Sequence, residues 1–320
     1  MRNDRRNKGL AIALSLAVAL IFGASLALGH EKFQEKFEKT EALAKDGKVY
    51  VINISGNILV QTSKEDQVRI EALKTSEASS LEKAKENAAA VTIEVTREAG
   101  ALRVEAKYPQ RRSFWGSDSV NVSVDFKIWI PAKASIEVKS VSGDVTLDPI
   151  GGTVKVNSVS GEVEVHGAAG ADVTVVSGDL TLENIQGDAY LKTVSGNLQA
   201  TKVRGSLELE SVSGDIDLKD VAEARNVTGK TVSGNITYVG TVVPGGNYEL
   251  KSHSGNVELR IPAASAFDFE ASTFSGVIDS DFEIEVSGKI SPREIRGTVN
   301  KGGARVRLKS FSGNIDLKKH

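Results

Sequence analysis

The sequence predicts an all-β chain built mainly as a single-stranded β-solenoid, or β-helix, of about 18-residue coils behind an irregular α+β N-terminal region. Three observations predict it. One Ser-Gly phrase recurs nine times between residues 132 and 320, weaker glycines recur midway between its earlier copies, and 30 glycines stand against six prolines and 5% aromatics. Such a chain makes many tight turns and packs small aliphatic side chains between them.

Composition narrows the function classes. The 320 residues are 26% charged and 40% hydrophobic, with a formal charge of −2. Acids and bases are interspersed, so there is no electrostatic footprint for nucleic acid. The absence of cysteine excludes disulfides, thiolate metal sites and cysteine nucleophiles.

At the N-terminus, Arg2, Arg5, Arg6 and Lys8 precede an apolar run from Leu10 to Leu28 that ends beside Gly29. A basic end followed by such a run is an export signal. Its small residues allow cleavage near Gly29-His30, and its length equally suits retention as an anchor in the inner membrane; both fates stay open. Either way residues 30–320 are expected outside the cytoplasm, in the periplasm or cell envelope.

Residues 30–47 read as an amphipathic helix or linker, because Phe33, Phe37, Leu43 and Ala44 fall near helical spacing among Glu and Lys. Residues 48–131 read as strands and one helix capping the solenoid. Alternation in Val49-Tyr50-Val51 leads through Ile54-Ser55-Gly56-Asn57 to Ile58 and Val60, a strand, a turn and a strand. A strand over 68–73 precedes a helix to about Ala89, its start marked by Ser79 and Glu82 in capping-box spacing. A hairpin over 91–96 and 102–107 turns at Gly100, and a long alternating strand over 120–130 stops at Pro131.

From residue 132 to 320 the repeat takes over. Its phrase is Val-Ser-Gly-acid/amide-aliphatic, with glycines at Gly143, Gly161, Gly178, Gly196, Gly214, Gly234, Gly255, Gly276 and Gly313. Successive spacings of 18, 17, 18, 18, 20, 21, 21 and 37 set the coil length and locate an insertion in the last gap. Gly152, Gly170, Gly187 and Gly205 each follow a main glycine by nine residues, so a coil holds two strand units. One coil cannot bury its Val-x-Leu face alone; coils stacked about 4.8 Å apart can. Glycine suits the corner because a sharp turn favours positive φ, and the flanking Ser and Asp or Asn can bond backbone there. The last strand, Phe311 to Leu317, is expected to leave an edge guarded by Lys318 and Lys319. The insertion, with strands over 282–286, 295–299 and 305–308, is expected to cap or elaborate that end. Val277 and the segment Arg225 to Lys230 depart from the pattern, and distortion is expected there.

These repeats, the early Ile54-Ser55-Gly56-Asn57-Ile58 pair, Tyr108-Pro109 with the aromatic loop before Val120-Asn121-Val122, and the closing Gly302-Gly303-Ala304-Arg305-Val306 with Phe311-Ser312-Gly313-Asn314 resemble a known family. It is the bacterial adhesin-like family of β-strand-repeat proteins, of undefined biochemical role, that includes LiaG-like members. The resemblance spans 45–317. It implies a cell-envelope protein of adhesin-like architecture and lends no catalytic residues.

The repeated acids Asp144, Glu162, Asp179 and Asp215 alternate with Asn197, Asn235, Asn256 and Asn314. One carboxylate per corner falls short of the six or more oxygens a calcium ion takes, so these residues are read as turn formers and no metal or cofactor is expected. His30, His166, His253 and His320 are scattered, and His253, which replaces the repeat valine and lacks the partners of a base, is expected to pack at a corner; no enzyme is predicted. One segment stands apart from the repeat: Arg111, Arg112, Phe114 and Trp115 form a loop able to dock sugar, lipid or protein, or to fold over the solenoid end. The functional expectation is a non-catalytic binding or scaffolding module for an envelope protein or glycan. The alternatives are a membrane-tethered accessory of an envelope-stress or regulatory system and, third, a carbohydrate-active β-helix enzyme.

Overall fold

A computed structural model describes residues 31–98, 100–109, 120–287 and 291–320. The expected export segment and the loop holding Arg111, Arg112, Phe114 and Trp115 lie outside the described residues. Among the described residues there is one helix, Leu81–Ala90, and no helix is long and apolar enough to cross a membrane.

Two long sheets face each other, one of 13 strands and one of 14. Each coil contributes one strand to each sheet, confirming the two strand units per coil. Leu207–Ser213 lies in one sheet, the chain turns at Gly214-Asp215, and Ile216–Val221 lies in the other. Neighbouring coils pair in parallel with residues one repeat apart in register: Leu191 on Leu209, Thr193 on Ser211, Ser195 on Ser213. The side chains between the sheets form continuous ladders. Val163, Leu180, Leu198, Ile216 and Ile236 stack on one sheet and Val156, Val173, Leu191 and Leu209 on the other, each nearly solvent-free. Each coil is covered only by its neighbours, which is why a single repeat cannot stand alone.

The stacking order departs from the chain order at both ends. Lys48–Ser55 and Ile58–Ser63 form a true coil, inserted between the coil of Ala101–Lys107 with Val122–Pro131 and that of Ser135–Ser142 with Val145–Leu147. At the far end, Ala304–Ser312 and Ile315–Lys319 slot between Asn247–Ser254 with Val257–Ile261 and Phe267–Ser275 with Ile278–Ser280. The last strand is therefore not an edge, and the expected lysine guard is corrected: Ile315 pairs with Val257 on one side and Ile278 on the other. The 37-residue gap exists because the chain passes over one coil position, builds the next coil, and returns to fill the vacancy. Within that gap Glu294–Val299 adds antiparallel to Phe267–Ser275, and Glu285–Val286 adds to it, elaborating the end.

Two further expectations change at the N-terminus. Residues 31–42 form a strand instead of an amphipathic helix, paired antiparallel with Gln67–Ala78 over twelve residues. Phe33 and Phe37 are an even number of residues apart, which places them on one face of a strand as well as of a helix, and the long partner supplies the backbone bonds. The helix is capped by Ser80, whose Oγ accepts the Lys83 N–H at 3.2 Å, not by Ser79; Glu82 thus falls in the first turn, where the helix dipole favours an acid. Lys74 is buried beneath the helix end, donating to the Ala88 and Val91 carbonyls at 3.0 and 2.9 Å and pairing with Glu35 at 2.8 Å.

Departures from the repeat have local causes. Beside Arg225 to Lys230 the pairing of Ile216–Val221 with Ile236–Gly240 shifts between Leu218 and Val221, and Tyr238 and Tyr248, of two successive coils, meet edge to face with rings 5.9 Å apart. Their hydroxyls donate to the Thr241 and Ala224 carbonyls at 2.7 and 2.6 Å. Gly229 sits against the Leu250 side chain, where a Cβ would come within 3.1 Å of it.

Candidate functional site

The Ser-Gly corners of ten coils stack into one straight edge. Gly56 joins the nine predicted glycines, and eight of those nine, with Gly56, have φ between 111° and 157°. A Cβ at Gly196 would lie 2.1 Å from the Gly178 carbonyl oxygen, and one at Gly276, where φ is not left-handed, 2.2 Å from that of Gly313. Glycine is therefore required twice, for its φ and for close stacking.

Two polar columns brace this edge. Outside, each Asp or Asn side-chain oxygen accepts the next coil's backbone N–H: Asp144 from Glu162 at 3.0 Å, Asp179 from Asn197 at 2.7 Å, Asp215 from Asn235 at 2.7 Å, Asn314 from Val277 at 3.1 Å. Val277 belongs to the last coil, with no coil beyond to donate, which explains its missing acid or amide. Of the repeated carboxylates, Asp144, Asp179 and Asp215 thus serve as turn acceptors. Inside, three residues before the glycine, a buried hydroxyl in the last four coils donates to the preceding coil's glycine carbonyl, whereas Ser140, Thr193 and Ser211 lack a partner and Val175 has no hydroxyl. Ser252 reaches Gly234 at 2.8 Å, Ser310 reaches Gly255 at 2.9 Å and Thr273 reaches Gly313 at 2.9 Å.

Between these columns, two residues before each glycine, the side chains point to solvent. In spatial order they are Ile54, Val141, Val159, Val176, Val194, Val212, Val232, His253, Phe311 and Phe274. The apolar ones are 42–63% exposed. A row of half-exposed apolar side chains ten coils long is the site candidate of this molecule, since surface apolar residues otherwise occur singly. It was missed in the sequence, although the signal was there: residues three, five and seven before the glycine face inward, so parity alone turns the repeat valine outward. His253 is exposed on this ridge, correcting the expectation of a packed corner; its ring stacks on Phe311 at 4.9 Å.

The ridge changes character over its last coils. Phe274 stacks on Phe311 at 4.8 Å with planes 4° apart, continuing the His253 stack. Four residues before the glycine, the outward column carries lysine in three adjacent coils, Lys230, Lys251 and Lys309. An open groove of about 530 Å³ runs between the aromatic and lysine columns. Lys251 beside Glu249 holds its carboxyl below the ordinary carboxylate value, with Arg307 adding to the effect at 3.7 Å. Glu270 is pushed up by burial but held low on balance by the Arg307 hydrogen bond at 3.2 Å and by Lys309 at 3.6 Å.

Corner geometry of this kind, repeated along two facing parallel sheets, agrees with the sequence comparison, in which the model of the Toastrack DUF4097 family matches residues 49–242 and again 243–318. The chain belongs to the Toastrack DUF4097 family. The two matches meet between Tyr238 and Tyr248, and one out-of-sequence coil falls within each. No curated protein is detectably similar in sequence. Solved structures similar to this Toastrack chain include a candidate cell adhesion protein from Clostridium sporogenes, with 14% identity over 89% of this chain and 100% of that one, TM-score 0.25. A candidate adhesin from Bacteroides fragilis has 14% identity over 88% and 96%, TM-score 0.39. A candidate lipid-binding protein from Parabacteroides distasonis has 11% identity over 88% and 97%, TM-score 0.41.

Proposed function

We propose that this Toastrack protein is a non-catalytic, exported binding or scaffolding module of the cell envelope, and that its ridge from Ile54 to Phe274 is the surface that engages the partner. The ridge carries the reading. Its apolar side chains contribute little to the core they face away from, yet the position holds Ile, Val or an aromatic ring in all ten coils. An extended repeat surface can bind along its length without a pocket. Export rests on the basic end and the apolar run from Leu10 to Leu28.

The test is a photo-crosslinking residue placed at Val194 in the native cells, with Thr181, outward on the sheet face away from the corner, as the control position. The expected result is an envelope-fraction protein that gives discrete adducts from position 194 and none from 181. Equal labelling at both positions, or recovery of the protein in the cytoplasm, would remove this reading.

A further inference from the structure

We infer that the groove between the lysine and aromatic columns at the far end of the ridge is a distinct subsite for an extended acidic glycan, a sugar chain bearing carboxylates along its length. The inference deepens the binding-module reading and rests on it. Three observations carry it.

First, both columns depart from the repeat in the same place. Elsewhere the ridge position is Val or Ile and the outward column is mixed: Lys139, Asn157, Thr174, Lys192 and Glu210. Lysine occupies three coils in succession only here, and the two runs overlap at two coils, Lys251 with His253 and Lys309 with Phe311, while Lys230 beside Val232 and Phe274 beside Ser272 extend them on either side. Neither change adds to the core, since both sets of side chains face solvent, and like charges on adjacent strands repel.

Second, the chemistry is complementary to one ligand class. Lys230, Lys251 and Lys309 are 44%, 41% and 40% exposed in their side chains. Their pairing with Glu210, Glu249 and Glu270 is of the exposed kind that competes weakly with an incoming anion. The aromatic wall beside them offers π surface to the C–H edges of sugar rings, whose partial positive charge the ring quadrupole attracts.

Third, the geometry is linear and periodic. Strands in a sheet repeat at about 4.8 Å, so the ammonium groups and the rings march along the groove in step. A polymer carrying one charge per short repeat meets them in register. A lipid surface fits less well, because Phe311 is clamped between His253 and Phe274 as part of a wall and does not project alone.

The experiment uses the full chain in detergent micelles, with calorimetric titration of polygalacturonate oligomers, neutral maltooligosaccharides and phosphatidylglycerol vesicles at low and high salt. The expected result is saturable, salt-weakened binding of polygalacturonate and none of the neutral sugar. Phe274→Val with Phe311→Val installs the residue other coils carry, and Lys251→Gln with Lys309→Gln removes charge without touching the core. Each pair is expected to weaken binding about tenfold while the thermal midpoint holds. Equal binding of acidic and neutral sugars, no binding of polygalacturonate, or unchanged affinity in both variants would overturn the inference. Binding to vesicles without polygalacturonate would assign the groove to lipid instead. Where polygalacturonate fails to bind, discrete adducts at Val194 would show that the inference had failed by itself, the ridge reading standing.

Discussion

The side-chain oxygen of Asn197 accepts the backbone N–H of Asp215, one coil further on, at 3.0 Å. The same atom pair links most neighbouring corners, so each Asp or Asn fastens its coil to the next one in space, not in sequence: Asn256 fastens Asn314, 58 residues away. A single such bond contributes about 1 kcal/mol. Replacing Asn197 by Leu is expected to lower stability by about that amount in urea unfolding, whereas Val277→Asn should stay within about 0.5 kcal/mol, there being no coil beyond to donate. A neutral Asn197→Leu would mean that stacking, not the side-chain acceptor, sets the corner.

Gly196 and Gly100 separate the two demands placed on glycine. Gly196 combines φ of 144° with a Cβ position 2.1 Å from a backbone oxygen, while Gly100 has φ of 76° with nothing within 4 Å. Gly100→Ala is expected to cost about 1 kcal/mol, the left-handed penalty alone. Gly196→Ala must also push two coils apart, and a loss of more than about 3 kcal/mol, or no folded protein, is expected. Circular dichroism melts of the two variants make the comparison.

Coil length, two strands per coil and the glycine corners were all legible because each is a periodicity, and periodicity is what a sequence carries. Stacking order was not: nothing in Ile54-Ser55-Gly56-Asn57 says that it sits on Val141-Ser142-Gly143-Asp144 with 83 residues between them, since most corners offer the same backbone and Asp or Asn hydrogen bonds. The amphipathic segment with Phe33 and Phe37 misled because spacing by four satisfies both periods, and a long-range partner decided between them. The ridge was hidden for a different reason. Hydrophobicity at Val176 or Val194 reads as core until the parity of the buried Val175 or Thr193 beside it turns it outward.

Tyrosine burial gives the chain an alkaline limit. Burial pushes the Tyr108 phenol up to about 12, while its hydroxyl donates to the Ser55 and Val122 carbonyls at 3.3 and 3.2 Å. Burial raises Tyr238 as well. A phenol whose folded pKa lies above its unfolded value of 10.0 stabilises fully below pH 10, and that contribution is lost as pH rises through about 12. Tyr108→Phe keeps the ring but cannot ionise. Its melting temperature is expected to fall below wild type at pH 8 and to draw level or pass it at pH 11. A constant difference across that range would show that Tyr108 does not titrate in the unfolding reaction.

Out-of-sequence stacking makes the C-terminal coil a wedge. In a solenoid whose coils follow chain order, deleting the last coil leaves the one before it paired to its predecessor. Here Ala304–Ser312 separates Asn247–Ser254 from Phe267–Ser275, so removing residues 304–320 strips the latter of its parallel neighbour and leaves it only Glu294–Val299. Phe267 and Phe269, both almost fully buried, lose the ladder of Ala304 and Val306. Hydrogen exchange on the truncated chain is expected to show residues 267–280 unprotected while the coils from Ser135 to Val239 keep theirs. The opposing outcome has a specific meaning: the segment from Pro262 to Ala266 joins the two coils directly, and retained protection would show that Phe267–Ser275 had closed the gap onto Asn247–Ser254. The order of coils would then be set by the return of the C-terminus, and not by any preference of one corner for another.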